Sequence, residues 1–166
     1  MSEELRSVSD HWWWRPGWSE GKRFYTWHFT FEGQTALHEM AREYQRTISK
    51  FPFYDLVPLE WLHLTTQEVG FTDRVPADHV QAIVKEVEER LAAQKALKVA
   101  FGAPLLFSEA IASPIAPALP VREALEAVRC PRVEADIRYV DLIRLGRDRR
   151  VYEWELVGRV AFKDED

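Results

Sequence analysis

The chain has 166 residues, 46% of them apolar and 30% charged, the balance of one globular domain or of two small lobes sharing a core. Its net charge of −5 excludes an extended nucleic-acid groove, which needs a basic surface, but leaves room for a small anion held by a few local groups. The single cysteine, Cys130, forms no internal disulfide, no signal-like segment opens the chain and no apolar run approaches a membrane span, so a cytoplasmic location without a membrane partner is expected.

Residues 1–10 are polar and are expected to fray. His11 to Trp18, HWWWRPGW, then gathers four tryptophans around a Pro-Gly turn signal. Arg23 to Phe31 is aromatic and β-branched and predicts a strand. Leu37, Met40, Ala41, Tyr44 and Ile48 recur at helical spacing and predict an amphipathic helix over about 35–50. After a loop with two prolines, Leu59 to Val69 predicts a second strand. Val80, Ile83, Val84, Val87 and Leu91 define a second helix. Leu97 to Phe107 and Glu109 to Ile115 predict two further strands, interrupted by Gly102 and Pro104. A short third helix is expected from Pro120 through Val128. The end predicts a hairpin, Val133 to Leu145 and Val151 to Phe162, around a polar tip at 146–150. Alternating strands and helices with short connections point to an α+β fold, helices packed on antiparallel sheets.

On a strand, residues i and i+2 share a face. His63 and Thr65 therefore project together with Trp61, away from Leu62 and Leu64. His28 and Thr30 repeat the spacing on the first strand, opposite Tyr25, Trp27, Phe29 and Phe31. An imidazole moves a proton near neutral pH, and a hydroxyl beside it can hydrogen-bond a non-bridging phosphate oxygen. The bland alternative for each is a histidine packed in a half-buried strand. His38 and His79 fall on helices, on expected solvated faces, and His11 falls in the tryptophan cluster. No His/Cys spacing suggests zinc, and neither a phosphate-binding glycine loop nor Gly-x-Ser-x-Gly occurs. Trp12, Trp13, Trp14 and Trp18 could stack nucleobases or form a buried cap. Arg144, Arg147, Arg149 and Arg150 could reach a phosphate but read first as a solvated hairpin tip, with Asp148 blunting the charge. Glu88 and Glu89 belong to an exposed helix face.

RFYTWHFTF, a helix, PLEWLHLTTQEVGFTD and a second helix together resemble the N-terminal half of the two-histidine (2H) phosphoesterases. Within that superfamily the chain is similar to the bacterial 2′-5′ RNA ligase family. VDLIRLGRDRRVYEWELVGRVAF resembles its closing hairpin and HWWWRPGW the lead-in of one branch. The resemblance spans roughly residues 11–163 and is most specific over Leu59 to Asp73. It implies two pseudo-symmetric lobes (the LigT-like fold), each giving one His-x-Thr/Ser motif to a shared cleft. One histidine acts as general base and the other as general acid, the hydroxyls bind phosphate, and neither metal nor cofactor takes part. Implied activities are opening 2′,3′-cyclic phosphates at RNA or nucleotide ends and making or breaking 2′-5′ linkages.

His63 and Thr65 match the first motif. The second has no counterpart, because no histidine follows His79. The expected layout is a tryptophan-rich lead-in over 1–22 and one domain over 23–166. Its first lobe covers about 23–95 and an abridged second lobe about 96–163. Three readings follow. In the first, an enzyme works through His63 and Thr65, with His28 as second imidazole and Thr30 as further phosphate contact. In the second, the chain is a non-catalytic nucleotide- or phosphate-binding relative. The third is a truncated relative without activity, its exposed sheet edge covered in a homodimer.

Overall fold

The computed structural model describes residues 10–52, 54–102, 127, 131 and 133–163. Among these the chain runs β1 (Phe24–Thr30), α1 (Thr35–Ile48), a 3-10 turn (Leu59–Trp61), β2 (His63–Phe71), α2 (Ala77–Leu91), β3 (Leu97–Phe101), β4 (Val133–Ile137), β5 (Tyr139–Gly146) and β6 (Glu153–Ala161). One antiparallel sheet has the order β2-β1-β5-β6, and β3 pairs with β4 in a second, two-stranded antiparallel sheet. No described helix is long and apolar enough to cross a membrane.

Periodicity sets the faces. Leu37, Met40 and Tyr44 make the buried stripe of α1, and Arg46 in its last turn complements the helix dipole. Val80 is buried on α2, while Ile83, Val84, Val87 and Leu91 pack partly buried against the same core. These stripes meet one face of the large sheet, which contributes Trp27, Val140, Leu142 and Val160; Ala135 and Ile137 of the small sheet join them. The two sheets thus share a single core. Gly158 of β6 lies under α2, where an added Cβ would stand 3.0 Å from a Val84 methyl, so glycine lets helix and sheet close together.

The predicted first arm of the terminal hairpin, Val133 to Leu145, is two strands in different sheets. The buried positions explain the break. Ala135 and Ile137 are buried at odd positions and Val140 and Leu142 at even ones, so the alternation changes phase at Arg138. β5 lies inside the sheet, and Leu142 and Ile143, on its opposite faces, are both fully buried. β5 and β6, expected within the second lobe, complete the sheet of β1 and β2 and leave β3 and β4 as the small second sheet. The predicted strand beyond Gly102, the strand Glu109 to Ile115 and the helix from Pro120 lie outside the described residues.

Candidate active site

The face of the large sheet away from the core carries Thr26, His28 and Asp141, each at most 3% exposed. What brings β2 chemistry to that face is a slip in register. Trp27 stands opposite Gln67, but His28 stands opposite Thr65 and Thr30 opposite His63, leaving Thr66 as an extra residue. In an unbroken ladder His28 would face Thr66, and Thr65 and His63 would turn to the side of Phe29 and Phe31. The bulge inverts this and aligns both His-x-Thr pairs on one face. Thr66 steadies it by donating its hydroxyl to the Trp27 carbonyl at 2.9 Å.

The His28 and His63 rings stack with centroids 4.3 Å apart and planes 6° from parallel. Nδ1 of His63 lies 2.7 Å from the Trp61 carbonyl oxygen. A carbonyl only accepts, so Nδ1 carries the proton and Nε2 keeps its lone pair. Trp154 meets the His63 ring edge-on at 5.2 Å and Tyr152 at 5.9 Å, which fixes the ring plane. Burial lowers the pKa of His63 below the usual imidazole value, partly offset by the Trp61 hydrogen bond. His28 is 1% exposed, and burial reinforced by the neighbouring His63 pushes its pKa down to about 3. It is therefore neutral at ordinary pH. Its Nε2 lies 3.2 Å from the Thr65 hydroxyl, and its Nδ1 is buried with no hydrogen-bond partner among the described residues.

These groups open into a cleft of about 510 Å³, lined also by Thr26, Glu68, Phe71, Arg15, Trp18 and Arg147. The lead-in forms one wall. Gly17 takes φ +85°, and an added Cβ would stand 2.8 Å from the Phe71 ring, so the Pro16-Gly17 turn lays Trp18 against Phe71 at 5.2 Å. Arg147, expected to be solvated, is 4% exposed. It donates to the His11 carbonyl at 2.7 Å and stands 5.5–5.7 Å from the rings of Trp12, Trp18 and Tyr152. Aromatic rings replace water around its charge, so the hairpin turns this arginine inward rather than to solvent.

The structure does not bring Thr30 to this cleft. Its hydroxyl donates to Asp141 at 2.6 Å, and it lines a neighbouring cavity. Asp141, 1% exposed, is also gripped by Arg159 through two bonds of 2.7 and 2.8 Å. His79 is exposed, as expected, whereas His38 is half-buried, its Nε2 buried and unpartnered among the described residues. Trp13 and Trp14 are 48% exposed, so only Trp12 and Trp18 of the four belong to the packed wall. Arg144 pairs with Glu155, Arg149 with Glu153, and Arg150 with Asp10 and Asp55. Glu68 was not anticipated: counting by twos from His63 puts it on the other face, and only the bulge returns it to the cleft, opposite Thr26. No three His, Cys, Asp or Glu side chains cluster as a metal site among the described residues.

Among the described residues, two antiparallel sheets on a common core form an α+β fold similar to that of E. coli LigT and of a crystallised phosphoesterase. E. coli LigT complexed with phosphate matches at TM-score 0.52 and 14% identity, over 86% of this chain and 98% of that one. A phosphoesterase crystal structure matches at 0.55 and 13%, over 86% and 99%. The protein TT0787 of Thermus thermophilus matches at 0.54 and 13%, over 87% and 100%. LigT has also been crystallised with 3′-AMP, ATP and NADP+. No protein-family model and no curated protein matches the chain.

Proposed function

We propose that the chain is a metal-independent phosphoesterase that opens 2′,3′-cyclic phosphates on nucleotides or RNA ends, with His63 as general base and Thr65 as phosphate contact. The observation that carries this is the His63 tautomer: a proton held on Nδ1 by the Trp61 carbonyl leaves Nε2 as a base beside the Thr65 hydroxyl, in one cleft. His28 then acts through Thr65. If His28 Nε2 donates to the Thr65 oxygen, the Thr65 proton is free to point at a phosphate oxygen. Arg15 and Arg147 add positive charge to the same cleft. The ligands of LigT, phosphate and nucleotides, fit such a cleft.

In the reaction, His63 Nε2 takes a proton from water as the water oxygen bonds to phosphorus. One ring P–O bond breaks, and the departing ribose oxygen takes its proton from solvent. An in-line displacement puts attacking and leaving oxygens on opposite sides, beyond the reach of one imidazole, so turnover is slow. The second reading, a nucleotide-binding relative without turnover, is favoured by one observation: the other imidazole of the cleft, His28, is buried and neutral, so it does not serve as a charged acid opposite His63.

The test is hydrolysis of 2′,3′-cyclic nucleotides by wild type and His63→Ala. The proposal expects product from wild type and a rate about 10²–10⁴-fold lower in the variant. Equal rates in both would remove His63 from the chemistry. Saturable binding without product would select the second reading.

A further inference from the structure

One end of the cleft is unlike the other. Beyond the histidines, the wall changes to aromatic rings: Trp18, Phe24 and Phe71 meet with centroids 4.9–5.7 Å apart, and each stays half-buried along the cleft. Between the two ends stands Glu68. It lines the cleft, yet its carboxylate makes no hydrogen bond or ion pair among the described residues. Register places it opposite Thr26, two residues along β1 from His28, roughly 7 Å at strand spacing. A carboxylate there would repel a phosphate and is not part of the phosphate end. It suits a neutral group that offers hydrogen-bond donors.

We infer that this end is a nucleobase site selective for guanine, with Trp18 as the stacking wall and the Glu68 carboxylate as the group that reads the base edge. An ionised carboxylate has two oxygens that only accept. Guanine presents two adjacent donors, N1–H and the N2 amino group, and meets both oxygens at once. Adenine and cytosine present an amino group beside a ring nitrogen that accepts, and uracil presents one N–H between two carbonyls. Each of these makes at most one good bond and turns a lone pair towards Glu68. Stacking on Trp18 tolerates every base, so it adds affinity while Glu68 supplies the choice. The inference rests on the functional reading above for the ligand's direction: phosphate at His63 and Thr65, base towards Trp18.

Calorimetric titration of the full chain with 3′-GMP, 3′-AMP, 3′-CMP and 3′-UMP tests it without requiring turnover. Wild type should bind 3′-GMP about tenfold or more tightly than the other three. Glu68→Gln, which replaces one acceptor by a donor, should bring 3′-GMP to the level of the rest and leave those nearly unchanged. His63→Ala should weaken all four alike and keep the preference. Equal wild-type affinities, no binding of any nucleotide, or an equal loss for all four in Glu68→Gln would overturn the base site. Its fate is separable from that of the catalysis. A Glu68-dependent preference for guanine with no cyclic phosphate hydrolysis retains the base site and removes the chemistry. His63-dependent hydrolysis with four equal affinities does the reverse.

Discussion

At the scale of single residues, two imidazoles that stack 4.3 Å apart cannot both carry charge in a buried setting, and burial settles the matter for His28. Its value falls from 6.5 unfolded to about 3 in the native chain. Between these limits the unfolded chain binds a proton that native His28 refuses, so stability is lost as pH falls from about 6.5 towards 3. The slope from this one group is about 1.4 kcal/mol per pH unit. His63, lowered by the same cause, adds in the same direction. Urea denaturation between pH 4 and 7 should show a shallower acid loss in His28→Gln than in wild type; identical slopes would mean that His28 is not held neutral. The sequence made part of this visible. His28, His63 and Thr65 were all legible as candidates, because two-residue spacing on aromatic strands is a local property. Stacking of the rings was not, since it depends on the register between strands, which no single strand encodes.

At the scale of elements, that register turns on Thr66. Both helices were legible from apolar spacing, because each turns a stripe to the shared core, and strands β1, β2 and β6 from their aromatic and β-branched content, all to within a few residues. The bulge escaped because an extra residue looks like any other in a β-branched run, LTTQEV. It also hid Glu68 and defeated simple counting by twos. Arg138 escaped in the same way, as a phase change inside an apparently continuous strand. The bulge makes a sharp prediction. Thr66→Val loses one hydroxyl bond to the Trp27 carbonyl, about 1 kcal/mol, and should keep hydrolysis near wild type. Deleting Thr66 removes only the extra residue, so Gln67 stays opposite Trp27 and Thr65 opposite His28, and a folded variant should keep hydrolysis and nucleotide binding. A deletion variant that folds but loses both would show that Thr66 is not merely the extra residue of the register.

At the scale of the whole molecule, the lead-in and the terminal hairpin, far apart in sequence, are tied by one buried cation. Arg147 is the knot: its guanidinium joins the His11 carbonyl and the rings of Trp12, Trp18 and Tyr152. The Tyr152 hydroxyl adds a 2.7 Å hydrogen bond to His11. Sequence reasoning missed this because an arginine at a hairpin tip is ordinarily solvated, and only packing of the distant lead-in encloses it. Arg147→Met should cost about 3 kcal/mol, the sum expected for a charged hydrogen bond and its ring contacts. It should also release the lead-in, read as a red shift of tryptophan emission and faster proteolysis within residues 11–18. Unchanged emission and cleavage would mean that the wall stands without Arg147.

The claim beneath all of this is that a phosphoryl group sits against His63 Nε2. An anion beside an imidazole favours its charged form, so the bound phosphate must raise the His63 pKa from its lowered starting point. Nitrogen NMR of the His63 ring, followed through pH with and without saturating inorganic phosphate, measures this directly. The expected result is an upward displacement of the His63 titration that Thr65→Val diminishes. A His63 titration that phosphate leaves unmoved would contradict it.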